Sequence, residues 1–323
     1  MKSRYSIIQM SMAVVTLFMF SCKNEKDNVV PQVNNNPKPQ PTYSSVNDMF
    51  KQMEVKAKTV TIDASKAESF YGNSGTRYIL PANSLEKMDG TAVTGNVDVT
   101  VREFLTKGDM IFSKMLPVSN GMPLISGGEL DIKASQNGQP LRLKDNMVFT
   151  ANIPQAHGAD PAMQFFMGEP VEGKQNNVNW QRPNGQGGQG KGNGVIVLAG
   201  DTLSLFSDSM MMCNADRFMT NPDYKAFTVN VNVTGAAIVN DEDVYGYAVY
   251  DNALGMWPMI QYAGGKINEN HVPGIPVHFV VFALIDGEFY GGTAAATPDD
   301  GGVYSVTLAK TDAATFKQQI NDL

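Results

Sequence analysis

Gly185–Gly192 reads GQGGQGKG, one residue away from a phosphate-binding loop. That loop needs a serine or threonine after its lysine to hold Mg²⁺, and Gly192 stands there instead. It also needs a helix N-terminus facing the phosphate, whereas the following VIVLAG is strand-like. The stretch is therefore expected to be a polar loop. Asn240–Gly246, NDEDVYG, offers the carboxylates of a calcium loop but puts Tyr245 where a ligand oxygen is due and lacks the closing glutamate. The histidines are His157, His271 and His278, none with a His or Cys partner at ligand spacing, so neither a metal nor a cofactor is expected. His278 shares a strand face with Val280, Phe282 and Leu284, a setting for a hydrogen-bonded structural imidazole. No Gly-x-Ser-x-Gly elbow or His-Glu-x-x-His helix occurs.

Three constellations keep some chemical content. In CNADRF, Asp216 and Arg217 either form a structural ion pair at a domain junction or face a ligand. In LGMWPMIQY, Trp257 and Tyr262 lie where Gly255, Pro258 and Gly264-Gly265 break strand alternation. Their rings either form an exposed platform for the flat face of a sugar or fill the core. Lastly, 32 acidic residues leave room for the paired carboxylates of a glycoside hydrolase, about 5–10 Å apart in a cleft, a separation that spacing along the chain does not test.

The elements that would position these groups are mostly strands. GNVDVTVREF puts Val97, Val99 and Val101 on one face and Asp98, Thr100 and Arg102 on the other. GELDIKAS repeats this with Leu130, Ile132 and Ala134 inward and Glu129, Asp131 and Lys133 outward, and AFTVNVNVTG with Phe227, Val229, Val231 and Val233 inward. Such alternation marks half-buried antiparallel strands. IPVHFVVFALIDGEFY is apolar on both faces and reads as a central strand with an Asp286-Gly287 hairpin turn. Asp89-Gly90, Asn120-Gly121 and Asn137-Gly138 supply further tight turns. Ser45 with Asp48 caps a short helix carrying Met49, Phe50 and Met53 on one face, and Phe316, Ile320 and Leu323 mark another over Thr311–Leu323. The spacing predicts an all-β protein of two antiparallel β-sandwich-like domains with short helices near both ends. The domains are expected at residues 46–218, including a glycine-rich insert at 172–194, and at 219–323. Glu172 is an alternative boundary.

The N-terminus carries its own signal. Lys2 and Arg4 precede an apolar run, Ile7–Phe20, too short to span a bilayer core of about 30 Å. Ser21 and Cys22 follow, and the pattern resembles a lipoprotein signal peptide (residues 1–21) in which Cys22 becomes the acylated N-terminus. The charged cluster Lys23, Glu25, Lys26 and Asp27 resembles the export signal of surface lipoproteins of the Bacteroidota, so the expected location is the outer membrane, on its periplasmic or its surface side. Residues 22–45, rich in proline and asparagine, are expected to be a tether. Removing residues 1–21 takes the net charge from −7 to −9, which gives no electrostatic reason to bind nucleic acid. With Cys22 lipidated, Cys213 has no disulfide partner and reads as a small buried hydrophobe.

From about Val60 onward the chain resembles a family of Bacteroidota cell-envelope lipoproteins. The stretches that carry this are FYGNSGTRYILPANSL, TGNVDVTVREFLTKGDMIFSKMLPVSNGMPLISGGELDIKASQNGQPL, CNADRF and IPVHFVVFALIDGEFY. In similar sequences the third reads Trp-x-Asn-Cys-Asp-Arg-Phe. Here Asn214, Asp216, Arg217 and Phe218 match, while Met212 replaces the Trp and Ala215 the Cys. Gly75, Thr76 and Pro81 also resemble the strand entry of ZU5-type β-sandwiches. The resemblance implies an envelope lipoprotein with β-sandwich domains and brings no catalytic residues. The expected function is a non-enzymatic binding or assembly module, partnered by the bilayer through Cys22 and by a glycan or an envelope protein. A carbohydrate-binding component of glycan uptake and a hydrolase with dispersed carboxylates are the alternatives.

Overall fold

The computed structural model describes residues 41–156, 158–183, 193–198, 200–238 and 240–323. Cys22, the expected signal peptide, the expected tether before Pro41, the GQGGQGKG stretch and His157 lie outside the described residues. The fold is all-β and sandwich-like, with three short α-helices among the described residues, and Gln40–Leu323 form one compact unit.

The first sheet runs β1 (Lys58–Asp63), β5 (Asn96–Phe104), β7 (Met122–Gln136), β14 (Met212–Phe218), β10 (Gln164–Pro170) and β11 (Val178–Gln181), with β4 (Leu85–Lys87), β6 (Val118–Ser119) and β8 (Gln139–Leu143) joined at its margin. The second runs β12 (Gly194–Leu198), β13 (Thr202–Ser207), β9 (Phe149–Pro154), β3 (Arg77–Leu80) and β2 (Glu68–Tyr71). The valine face of β5 meets β7 in register, Val101 opposite Ile132 and Val99 opposite Ala134. These side chains share one buried cluster with Tyr78, Leu80, Ala151, Ile153, Leu203 and Leu205 of the second sheet. Two apolar faces thus close on each other, as the alternation predicts.

The third sheet comes from residues 224–310. Its order is β17 (Met256–Pro258), β16 (Val244–Tyr250), β20 (Val277–Ile285), β21 (Glu288–Ala296), β22 (Val303–Lys310), β15 (Tyr224–Val233), β19 (Lys266–Pro273) and β18 (Tyr262–Ala263). β20 is central and buried on both faces, with Phe279, Val281 and Ala283 in one cluster and Val280 and Phe282 in another. Asp286 (φ 51°) and Gly287 (φ 79°) make the expected tight turn into β21. One departure from antiparallel order is β15, which pairs with β22 in parallel.

The second cluster overturns one expectation. Glu129 and Asp131 were expected to face solvent, yet both are buried, at 0% and 4% exposure. Their face of β7 is covered by a second layer: α1 (Val46–Met53), α2 (Lys107–Ser113) and α3 (Ala313–Asn321) bury Phe50, Phe112 and Phe316 there with Phe104, Trp180 and Phe282. α1 starts as expected, with Ser45 Oγ accepting the Asp48 N–H at 3.1 Å. α2 is capped the same way by Thr106, which accepts from the Asp109 N–H. Part of the glycine-rich insert is also core, because β11 carries Val178 and Trp180, both at 0% exposure.

Candidate functional site

An open groove of about 900 Å³ lies at the margin of the first sheet. β8 pairs with β4, Leu141 and Leu143 turn into the core, and Arg142 points outward to bond Glu86 at 2.6 Å. The chain then turns through Asn146 (φ 64°) into β9, and this turn, Met88 and the Asp208–Met210 loop form the walls. Met88 is exposed, while Met147 and Met210 are half-buried. Arg142, Lys144, Asp145, Asn146 and Asp208 supply the polar lining. Flexible thioethers adapt to an occupant's shape, and the charged groups fix its orientation. Asp145 and Asp208 are the two carboxylates on this groove.

The groups best suited to proton transfer are elsewhere. At a bulge in the ladder between β7 and β14, Glu129 lies opposite Asn214 and Ser126 opposite Asp216. Asp216 accepts from Ser126 Oγ at 2.6 Å and from Asn214 Nδ2 at 2.8 Å. Both oxygens of Glu129 and Oδ1 of Asn214 have no hydrogen-bond partner among the described residues. Burial pushes both carboxyls well above the usual carboxylate range, and Asp216 raises Glu129 further. Neither residue lines the groove. Glu103, on the other face, is structural. Its carboxylate accepts the N–H groups of Ser74 (2.6 Å) and Thr76 (3.1 Å), and a Cβ at Gly72 would lie 2.2 Å from it. That contact favours glycine at position 72. Cys213 is fully buried, and burial pushes its thiol up, so it is inert.

Asp216 and Arg217 do not pair, which corrects the expectation of an ion pair between them. Successive strand residues face opposite sides of a sheet. Asp216 goes inward, and Arg217 bonds Asp160 at 2.6 Å, with both side chains about one-third exposed. Trp257 is half-buried and stacks on His271, ring centroids 5.8 Å apart at 18°. His271 also meets Tyr224, at 5.9 Å. Trp257 on β17, a margin strand, thus bridges to His271 on β19, next to the opposite margin β18, with one ring face against His271. Tyr262 is half-buried on β18 and pairs with neither ring. His278 Nδ1 lies 2.8 Å from Asp251 Oδ1, as suits a positioned structural imidazole. NDEDVYG forms a 3-10 turn at Asp241–Asp243, and no group of three or more His, Cys, Asp or Glu suited to a metal occurs among the described residues.

The burial of Glu129 and the role of Glu103 escape a reading of local alternation, which assigns a face but not what covers it. No protein-family model matches the chain, and no curated protein matches it in sequence.

Proposed function

We propose that this protein is a lipid-anchored module of the bacterial cell envelope, held at the outer membrane through Cys22, that binds a partner and performs no chemistry of its own. One observation carries the binding reading. Glu129, Asp216 and Cys213 are sealed in the core, whereas the groove open to solvent is lined by thioether, charged and amide side chains. Among the described residues no aromatic ring lines that groove, so it suits a protein segment or a polar chain better than a stacked sugar face. The lipoprotein-like leader and the charged residues after Cys22 support the location.

Two experiments test this. Cells fed an alkyne fatty acid should label the wild type and not Cys22→Ala, and equal labelling would remove the anchor. Crosslinking through a photoreactive residue at exposed Met88 should capture an envelope component that an equivalent probe at Lys58, on the β1 margin, does not. The second reading, a hydrolase, rests on Asp145 and Asp208 sharing the groove. Release of reducing sugar from a polysaccharide, lost in both Asp145→Asn and Asp208→Asn, would replace the binding reading with it.

A further inference from the structure

Lys114 ends α2 in a left-handed conformation, φ 53° and ψ 40°. Glycine and asparagine take that position at lower cost than lysine. Its side chain turns back over α1, placing Nζ 4.4 Å from the centroid of the Phe50 ring and 5.8 Å from that of Tyr245. No carboxylate lies within 4.0 Å of it among the described residues, although the chain is strongly acidic. A second ammonium, Lys174, lies 5.2 Å from the same Tyr245 ring and pairs with Glu242 at 3.6 Å. Burial and Lys174 together hold the Lys114 ammonium below the usual lysine range. The aromatic faces offset part of that cost, and no described protein group pairs with the half-buried ammonium, which the open side of the recess leaves to solvent or to an anion.

The geometry around Lys114 is a recess of about 200 Å³. Asn47, Phe50, Lys51 and Glu54 of α1, Phe112 and Ser113 of α2, and Asn177 line it. Asn177 is fixed there because its N–H donates to the Lys114 carbonyl at 2.8 Å. Glu54 is the one carboxylate on the wall, and Lys56 lies 3.8 Å from it. Lys51 and Lys114 thus outnumber it, and Lys174 adds a third cation nearby.

We propose that this recess is an anion site for a compact oxyanion of the phosphate or sulfate type. Lys114 and Lys51 are its cations, and Asn47 and Asn177 its amide donors. An anion there would supply the counter-charge that Lys114 lacks, with hydrogen bonds strengthened by charge on both partners. The site is separate from the groove and does not depend on the function assigned to it.

The test uses the full chain carrying Cys22→Ala, so that no acyl group binds vesicles, with inorganic phosphate and sulfate as probes and chloride at matched ionic strength as control. Phosphate or sulfate should raise the wild-type melting temperature beyond chloride and saturate. Lys114→Asn suits the left-handed position, so it should fold at least as stably while losing that rise. Lys51→Gln, on the exposed face of α1, should weaken the apparent Kd about tenfold. No rise beyond chloride in the wild type overturns the site. An equal rise in the wild type and Lys114→Asn does so too, because it marks an adventitious ion only. If the rise occurs, phosphatidic acid and phosphatidylcholine vesicles in a flotation assay separate a lipid phosphate from a free one.

Discussion

Glu129 and Asp216 face the same core from neighbouring strands of the first sheet, both at 0% exposure and neither with a cationic partner among the described residues. Two carboxylates in one apolar enclosure cannot both ionise cheaply, so the pair retains protons well above the usual carboxylate range. The native state then binds more protons than the unfolded chain between the ordinary carboxylate pKa, about 4, and the raised one. Stability is full below that window and falls as pH rises through the raised pKa, by up to about 1.4 kcal/mol per pH unit for each proton retained. The melting temperature should therefore be higher at about pH 5 than at about pH 8, and Glu129→Gln should flatten the slope. A melting temperature that rises steadily with pH, or an unchanged slope in Glu129→Gln, would contradict this.

Adjacent residues should lose very different amounts of stability on truncation. Arg217 and Asp160 form an ion pair with both side chains about one-third exposed, so Arg217→Ala should cost under about 1 kcal/mol. Asp216→Ala leaves Ser126 Oγ and Asn214 Nδ2 without their acceptor in the core, at about 1–3 kcal/mol for each orphaned group. Urea unfolding of the two variants measures the contrast, and equal losses would refute the separate placement.

The strands were legible because each carries its own two-residue period. Val97, Val99 and Val101 are buried as expected, and so are Phe227, Val229 and Val231. Capping chemistry also acts locally, which is why Ser45 and Asp48 mark the start of α1. What stayed hidden depends on residues far away in sequence. Glu129 and Asp131 alternate as a solvent face should, and become buried only because three helices and the third sheet cover them. Trp180 sits in four residues of β11 within a polar stretch, too short a run for periodicity to register. Lys114 could not be singled out without α2, although Thr106 and Asp109 show the spacing of an N-terminal cap.

Phe282 is the hub of the layer that covers β7. Its ring lies 5.4 Å from Phe112, 5.5 Å from Tyr245 and Phe289, 6.1 Å from Phe50 and 6.3 Å from Phe316, so it ties all three helices to the third sheet. Phe282→Ala should cost about 3–5 kcal/mol, because these rings hold one another in place and the site cannot collapse freely. Phe282→Leu should recover a large part of that loss. Chemical denaturation checks both, and a loss under about 1 kcal/mol for Phe282→Ala would mean the layer is not cooperative with the sheet.

Trp257 and His271 give the last prediction, because their stacking limits what the tryptophan can do. With one ring face against His271 and the residue half-buried against the core, Trp257 holds β17 and β19 together. Trp257→Ala should lower stability by about 2 kcal/mol, less than a fully buried tryptophan because part of the ring is already in water. His271→Ala should weaken the same contact by about 0.5–1.5 kcal/mol, and the double variant should lose less than the two separate losses combined. A sugar platform behaves differently: Trp257→Ala would abolish polysaccharide retention in affinity electrophoresis with the melting temperature almost unchanged. Additive losses in the double variant would show that the stacked pair does not act as a unit, and an unchanged melting temperature in Trp257→Ala would show that the ring is free for a ligand.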